Sequence, residues 1–408
     1  MNINLKKTRE AAIRLSGSSE KERNAFLRAL SAQLAKREKS ILRANERDVA
    51  AAKKSGLAAA FVERLVFDSR ALKLLKAKVR SVENLRSRIG EVMEQRTLRK
   101  GLVLKKVRVP LGVMLVIYES RPEVTIDVAA LCIKSGNAAL LKGGSEAKRT
   151  NEALFGCVQD ALKKTGLAKE TVGLVPNRDA VKRLLREHES IDLVIARGGY
   201  GLVRAVVNES MIPVLAHAEG GARIFVDKSA DLTAAEKILL NAKISKPAAC
   251  NSLDAILVHR AIAGTFVPRM VKRLREAGVR VLGDARARRF ARMDAARARD
   301  WDKEFLGPTV AIKTVKNARE AIQFINEHTK RHSEGLIARD ARVIKEFTDS
   351  IDAAALFINA STRLHDGYVF GLGSEMGIAA GKLHARGPVG LQELTTYKWE
   401  VYGKGHIR

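Results

Sequence analysis

The 408-residue chain carries 74 Lys plus Arg against 45 Asp plus Glu, a formal net charge of +29, with 46% hydrophobic residues and a mean hydropathy of −0.12. That apolar content excludes a disordered polyelectrolyte, three Cys exclude a disulfide framework and fit a reducing, cytoplasmic setting, and no apolar run reaches the ~18–20 residues of a membrane span. The charge admits nucleic-acid binding, attraction of anionic small molecules, or a uniformly basic host, and composition does not choose among them.

In chain order, residues 1–15 predict a basic amphipathic surface helix; Glu10 and the lack of a cleavage site argue against a transit peptide. Ser19 and Glu22 have the capping-box spacing, and Phe26, Leu27, Leu30 and Leu34 then mark one helical face. The pattern stays helical to about Val92. From 96 to 109, Leu98, Leu102 and Leu104 alternate with Arg and Lys, which predicts a strand or hairpin ending at Pro110-Leu111-Gly112.

Short apolar runs then alternate with helical segments. Strands are expected at 113–118, 138–142, 172–175 and 193–196, and helices at 124–134, 146–164 and 180–186. A second series follows, with strands at 224–226, 255–258, 279–282 and 310–314 and helices at 233–243, 264–277 and 318–329. The rhythm argues for two α/β lobes with mostly parallel sheets, meeting near Gly220-Gly221, and with binding sites at the carboxyl ends of strands. The Ala/Arg-rich stretch 285–299 reads as a solvated helix face; it lacks the interleaved aromatics of a single-strand binding platform.

Cys132 and Cys157 fall in helical stretches and read as small buried hydrophobes. Cys250 differs. It follows Lys246-Pro247-Ala248-Ala249 at a helix-to-strand junction, and Lys243 and Lys246 nearby would favour thiolate. These facts leave open whether it is a nucleophile or a structural residue. No Cys or His spacing matches a metal site. Glycines cluster at Lys142-Gly143-Gly144-Ser145 and Arg197-Gly198-Gly199, each after an expected strand. Such junctions suit phosphate at a helix N-terminus, but they are equally ordinary turns, and neither matches a dinucleotide fingerprint or a P-loop.

Taken together, several motifs resemble one family. They are Val109-Pro110-Leu111-Gly112, Tyr118-Glu119-Ser120-Arg121-Pro122, Lys134-Ser135-Gly136-Asn137-Ala138 and Lys142-Gly143-Gly144-Ser145-Glu146-Ala147. To these are added Ile195-Ala196-Arg197-Gly198-Gly199, the Cys250 segment, Asn359-Ala360-Ser361-Thr362-Arg363, Phe370-Gly371-Leu372-Gly373-Ser374-Glu375-Met376 and Leu383-His384-Ala385-Arg386-Gly387-Pro388. In this order they resemble the gamma-glutamyl phosphate reductase family of the aldehyde dehydrogenase superfamily, across nearly the whole chain. Two departures stand out. Ala196 replaces the usual Pro, and 216–221 looks more like the version in the bifunctional pyrroline-5-carboxylate synthase.

The resemblance implies an aldehyde dehydrogenase-like α/β fold of two doubly wound lobes plus a small oligomerisation hairpin and C-terminal strand. It implies a cofactor domain over 1–221 with the hairpin at about 96–110, a catalytic domain over 222–360, and a return over 361–408. It implies NADPH-dependent reduction of L-glutamyl 5-phosphate to L-glutamate 5-semialdehyde in proline biosynthesis, a homo-oligomer (dimer or tetramer), and a separate glutamate 5-kinase, since these residues include no kinase module. Cys250 would be the nucleophile, with its backbone N–H and the side chain of Ser120 or Asn251 as oxyanion donors. Lys142, Gly144, Ser145 and Glu146 would meet the adenosine ribose and 2′-phosphate. Arg197, Gly198 and Gly199 would lie by the pyrophosphate, and Glu304 by the nicotinamide ribose. Arg121, Arg363, His384 and Arg386 would face the anionic substrate, although each Arg is equally suited to a structural ion pair. The rivals are a non-phosphorylating aldehyde dehydrogenase, which needs a Glu base, and a basic nucleic-acid-binding protein, whose binding should survive ~0.2 M salt.

Overall fold

A computed structural model describes residues 3–217 and 219–407; the 216–221 motif therefore lies partly outside the described residues at Ala218. The chain divides into two compact units. The first takes residues up to Ala216, then Gly371–Gly377 and everything from Leu383 on; the second takes His217–Phe370 and Ile378–Lys382. The first break thus falls a few residues ahead of Gly220-Gly221.

The first unit opens with helices Leu5–Ser16, Glu20–Lys36, Glu38–Lys54 and Ser69–Asn84. The expected capping box is present: the Ser19 hydroxyl accepts from Glu22 N–H, and Glu22 accepts from Ser19 N–H. Phe26, Leu27, Leu30 and Leu34 are all fully buried. That face packs on helix Lys148–Thr165, which begins after a short turn at Ser145–Ala147. Lys134 is also fully buried, and its ammonium donates to Glu20, Asn24 and the Glu83 carbonyl at 2.6–2.9 Å. A buried charge is tolerable when all its donors are used, and here that charge pins the helical layer to helix Val124–Lys134.

Behind the helices, among the described residues, lies a five-stranded sheet. Its order is Val172–Leu174, Ala138–Lys142, Val113–Tyr118, Leu193–Arg197, Val214–His217. The first four strands pair in parallel. Val113–Tyr118 is buried along its whole length, as a central strand covered on both faces must be. A separate three-stranded antiparallel sheet joins Val92–Thr97, Val103–Pro110 and Thr395–Tyr402. The register runs from Thr395 opposite Pro110 to Tyr402 opposite Val103. Tyr397 and Trp399 are about half exposed, and the Lys106 ammonium lies 3.9 Å and 5.9 Å from their ring centroids.

Among the described residues, the second unit is built on seven parallel strands. The order is Asp294–Ala295, Arg280–Gly283, Thr309–Val315, Leu253–His259, Ala222–Val226, Ser333–Ile337, Ala355–Ile358. Helices Leu232–Ile244 and Arg260–Glu276 cover one face through Leu239, Phe266, Val267 and Met270; helices Ala318–His328 and Ala341–Ser350 cover the other through Ile325 and Phe347. Between neighbouring strands, the buried Arg223 guanidinium reaches Glu334 at 3.3 Å, while Glu334 also accepts from Arg223 N–H and from Thr329.

The helix expected over 285–299 is corrected. Two single turns, Ala287–Arg289 and Ala298–Asp300, flank the short strand Asp294–Ala295. The sheet edge wins over local helix propensity because Ala287 and Met293 are buried and Met293 Sδ occupies the space a Cβ on Gly283 would need. Arg280 also holds Asp294 with two bonds at 2.8–3.0 Å.

The Arg223–Glu334 pair yields a stability prediction. Glu334→Ala leaves a buried guanidinium without its counter-charge and should cost about 3–5 kcal/mol in chemical denaturation, while an apolar replacement of both partners should recover most of it. Equal stability of Glu334→Ala and the parent would refute the pairing's role.

Candidate active site

Each parallel sheet leaves its strand ends open, and the chain places chemistry there. In the first unit, a cavity of about 800 Å³ lies beyond the ends of strands Ala138–Lys142 and Val113–Tyr118. Ser120, Lys142, Gly144, Ser145 and Glu146 line it. Ser120 N–H and Oγ both donate to Glu146 Oε1, at 2.7 Å and 2.8 Å. This pair of bonds holds Ser120 at φ +41°, a conformation that side-chain-bearing residues rarely adopt. A Cβ on Gly144 would sit 2.0 Å from Glu146, so only glycine lets that carboxylate fold back. Burial lowers the Lys142 pKa; Glu146 works against this and Arg178 adds to it. Its ammonium donates to the Gly143 carbonyl at 2.5 Å.

The neighbouring strand end holds Arg197, Gly198 and Gly199. Arg197 Nη1 donates to the Met376 carbonyl at 3.0 Å, and Gly199 N–H donates to Glu119 at 2.7 Å. A Cβ on Gly198 would stand 2.6 Å from the same Glu119 oxygen. Arg197, Gly198 and Gly199 therefore anchor Glu119 and the 371–377 segment, and it is Gly201 and Leu202, just beyond, that line the cavity. Glu119 was missed in the sequence, although it sits inside the Tyr118–Pro122 motif. Arg121 stands at the head of helix Val124–Lys134, its carbonyl accepting from Val124 at 3.1 Å. His384 is exposed and donates to the Glu393 carbonyl at 2.8 Å, and Arg386 is half-buried in the same segment.

In the second unit, Cys250 lies on the turn between helix Leu232–Ile244 and strand Leu253–His259. It is partly exposed, whereas Cys132 and Cys157 are fully buried. Burial raises the Cys132 thiol pKa and pushes that of Cys157 up to about 11. The Cys250 carbonyl accepts from Gly221 N–H at 2.6 Å, and a Cβ on Gly220 would come within 2.3 Å of it. The Gly220-Gly221 pair is thus required for the close approach of backbone to the cysteine.

Asn251, next in the chain, is 3% exposed and bonded at three points. Its carbonyl accepts from Thr362 Oγ1 at 2.8 Å, its Nδ2 donates to the His365 carbonyl at 2.9 Å, and its Oδ1 accepts from Arg363. Lys243, read from the sequence as a cation near Cys250, is instead buried 3.6 Å from Asp254. Burial pushes the Asp254 carboxyl up to about 6, opposed by Lys243. Asp254 also accepts from Phe305 N–H at 3.2 Å, which fixes the backbone beside Glu304. Asp254 escaped the sequence reading; its signal was a lone carboxylate in the otherwise apolar strand Leu253–His259. Among the described residues no cluster of His, Cys, Asp and Glu is suited to a metal ion, and no helix is long and apolar enough to cross a membrane.

Comparison with known proteins gives a consistent result. The sequence profile of the aldehyde dehydrogenase family matches residues 1–288 and 294–399. The gamma-glutamyl phosphate reductase of Carboxydothermus hydrogenoformans is 42% identical over 407 residues, covering 99% of this chain and 98% of the relative. That of Escherichia coli O1:K1 is also 42% identical over 407 residues, covering 98% of each. The crystal structure of gamma-glutamyl phosphate reductase from Thermotoga maritima matches with a TM-score of 0.94 at 40% identity, covering 99% of this chain and 98% of that one. An acetylating aldehyde dehydrogenase from Geobacillus thermoglucosidasius shares the fold, with a TM-score of 0.72 at 16% identity.

The exposure of the three thiols predicts their reactivity. Iodoacetamide applied to the native protein should label Cys250, with Cys132 and Cys157 labelled only after denaturation, as read by peptide mass spectrometry. Native labelling of either buried thiol ahead of Cys250 would contradict this arrangement.

Proposed function

Because the chain belongs to the aldehyde dehydrogenase family and, within it, to the gamma-glutamyl phosphate reductases, we propose that it reduces L-glutamyl 5-phosphate to L-glutamate 5-semialdehyde with release of phosphate, the reductive step of proline biosynthesis from glutamate. The observation that carries this reading is the partly exposed Cys250 on a segment fixed by Gly221 on one side and by Asn251 on the other.

The Cys250 thiolate attacks the acyl phosphate carbonyl carbon. A C–S bond forms, the C–O bond to phosphate breaks, and phosphate leaves with the electron pair. When bound, NADPH supplies the hydride that reduces the thioester carbonyl. Collapse of the resulting thiohemiacetal returns the thiolate to Cys250 and frees the aldehyde. Both tetrahedral stages carry oxyanion character and need N–H donors. We assign these to the Cys250 backbone and to Asn251, whose Nδ2 spends one of its two N–H groups on His365. Ser120 is the weaker candidate, since its Oγ donates to Glu146.

Hydride transfer releases the acyl group, so no carboxylate is needed to activate water. Glu219, next to Gly220, is ion-paired with Lys330 at 3.0 Å, which disfavours the non-phosphorylating alternative.

The first unit's cavity fits a nicotinamide dinucleotide. The cavity lies at the strand ends, where a dinucleotide is expected in such sheets, and Lys142 supplies positive charge. Lys142 is assigned to the 2′-phosphate of NADPH, while Glu146, which accepts two bonds from Ser120, is held back by that residue beside the adenosine ribose. Glu304 is assigned to the nicotinamide ribose, and Arg121, His384 and Arg386 to the substrate's anionic groups. We place the enzyme in the cytoplasm, fed by a glutamate 5-kinase. We also assign it a homo-oligomer built on the half-exposed strand Thr395–Tyr402.

Two variants test the reading. Cys250→Ala should abolish phosphate-dependent oxidation of the semialdehyde while the protein stays folded; retained turnover would sink the nucleophile assignment. Lys142→Ala should raise the KM for NADPH by roughly tenfold or more, the worth of one charged contact, and leave that for NADH little changed.

A further inference from the structure

The turn Ser361–His365 docks on the Cys250 segment within the second unit. Thr362 and His365 hold the Asn251 backbone and amide, as described. Arg363 spans the remaining distance: its Nε donates to Ser245 Oγ at 3.2 Å and its Nη1 to Asn251 Oδ1. Ser245 caps helix Leu232–Ile244, so the guanidinium ties both ends of the 245–251 turn that carries the cysteine. A fork used in this way has fixed two of its donors on the protein.

We propose that Arg363 is a positioning residue for Cys250: it braces the Asn251 amide and stabilises the thiolate, and the anionic substrate is held by other groups. This rests on the reading of Cys250 as the nucleophile. The electrostatics agree with the geometry. Burial lowers the Arg363 pKa, and the charges of Cys250 and Asp366 oppose that, so guanidinium and thiolate feel each other directly. Coupling of this kind is mutual.

The other charged groups of this neighbourhood are weaker candidates for the task. Lys243 is matched by Asp254, and Lys330 by Glu219. Asp366, on the docked turn, has the wrong sign to stabilise a thiolate. Lys246, on the cysteine's own loop, is exposed, where solvent screens its charge.

The test follows alkylation of Cys250 by iodoacetamide in the full-length protein from about pH 6 to about pH 10, beside steady-state kinetics. In Arg363→Gln the alkylation curve should move to higher pH, with a roughly tenfold slower rate near pH 7 that converges on the parent's at high pH. Arg363→Lys, the gentler change, keeps a cation without the fork and should lose about threefold. In both, kcat should fall more than the substrate KM rises. An unmoved curve in whichever variant folds, with a raised KM, would overturn the proposal and return Arg363 to substrate binding. Turnover retained in Cys250→Ala would instead overturn the nucleophile reading, so the two failures are distinguishable.

Discussion

Asn251 accepts from Thr362 and Arg363 and donates to His365, and it does so in near-complete burial. A buried amide left unpaired would cost about 1–3 kcal/mol, so this residue fixes the turn around it as firmly as a packed apolar side chain would. The cysteine is its immediate neighbour. Accessibility normally brings mobility; here the partly exposed Cys250 is flanked by backbone that cannot move without breaking buried hydrogen bonds. Gly220 and Gly221 complete the arrangement by letting a second backbone segment press against the cysteine carbonyl.

The cavity of the first unit obeys the same logic with different parts. A carboxylate partly withdrawn from water needs hydrogen-bond donors in its place. Glu146 uses its charge on Ser120, and Glu119 uses its charge on Gly199. Both arrangements require glycines, at Gly144 and Gly198, because a Cβ would occupy the carboxylate's space. The strained backbone of Ser120 is held by the same two bonds. Lys142 stands in the same cavity, with Lys148, Arg178 and Lys182 also in its lining.

Against this, the net charge of +29 has little to do with the site. Cations in the working segments have specific partners: Arg363 with Ser245 and Asn251, Arg197 with Met376, Lys243 with Asp254. An anionic substrate and an anionic cofactor gain from a positive field, but a field of a few charges suffices.

The sequence by itself determined the architecture and the parts list. Period-two and period-3.6 burial patterns are local, and they located four strands of each sheet to within a few residues, but not Val214–His217, Ser333–Ile337 or Ala355–Ile358, nor helices Tyr200–Glu209 and Ala341–Ser350. The motif series brought out Cys250, Asn251, Arg363 and the Lys142–Glu146 run for the same reason: they are short, contiguous and chemically specific. What only the tertiary structure decided is which group meets which. Arg363 and Asn251 are 112 residues apart, and their contact exists because the topology lays one strand connection over another. The burial of Lys243 against Asp254 was equally out of reach, whereas the grouping of the C-terminal strand with the hairpin came from the family resemblance and only its register from the structure. The 285–299 stretch shows the limit most plainly: its residues favour a helix, but a sheet edge and the space over Gly283 offered more buried contact than a solvated helix could.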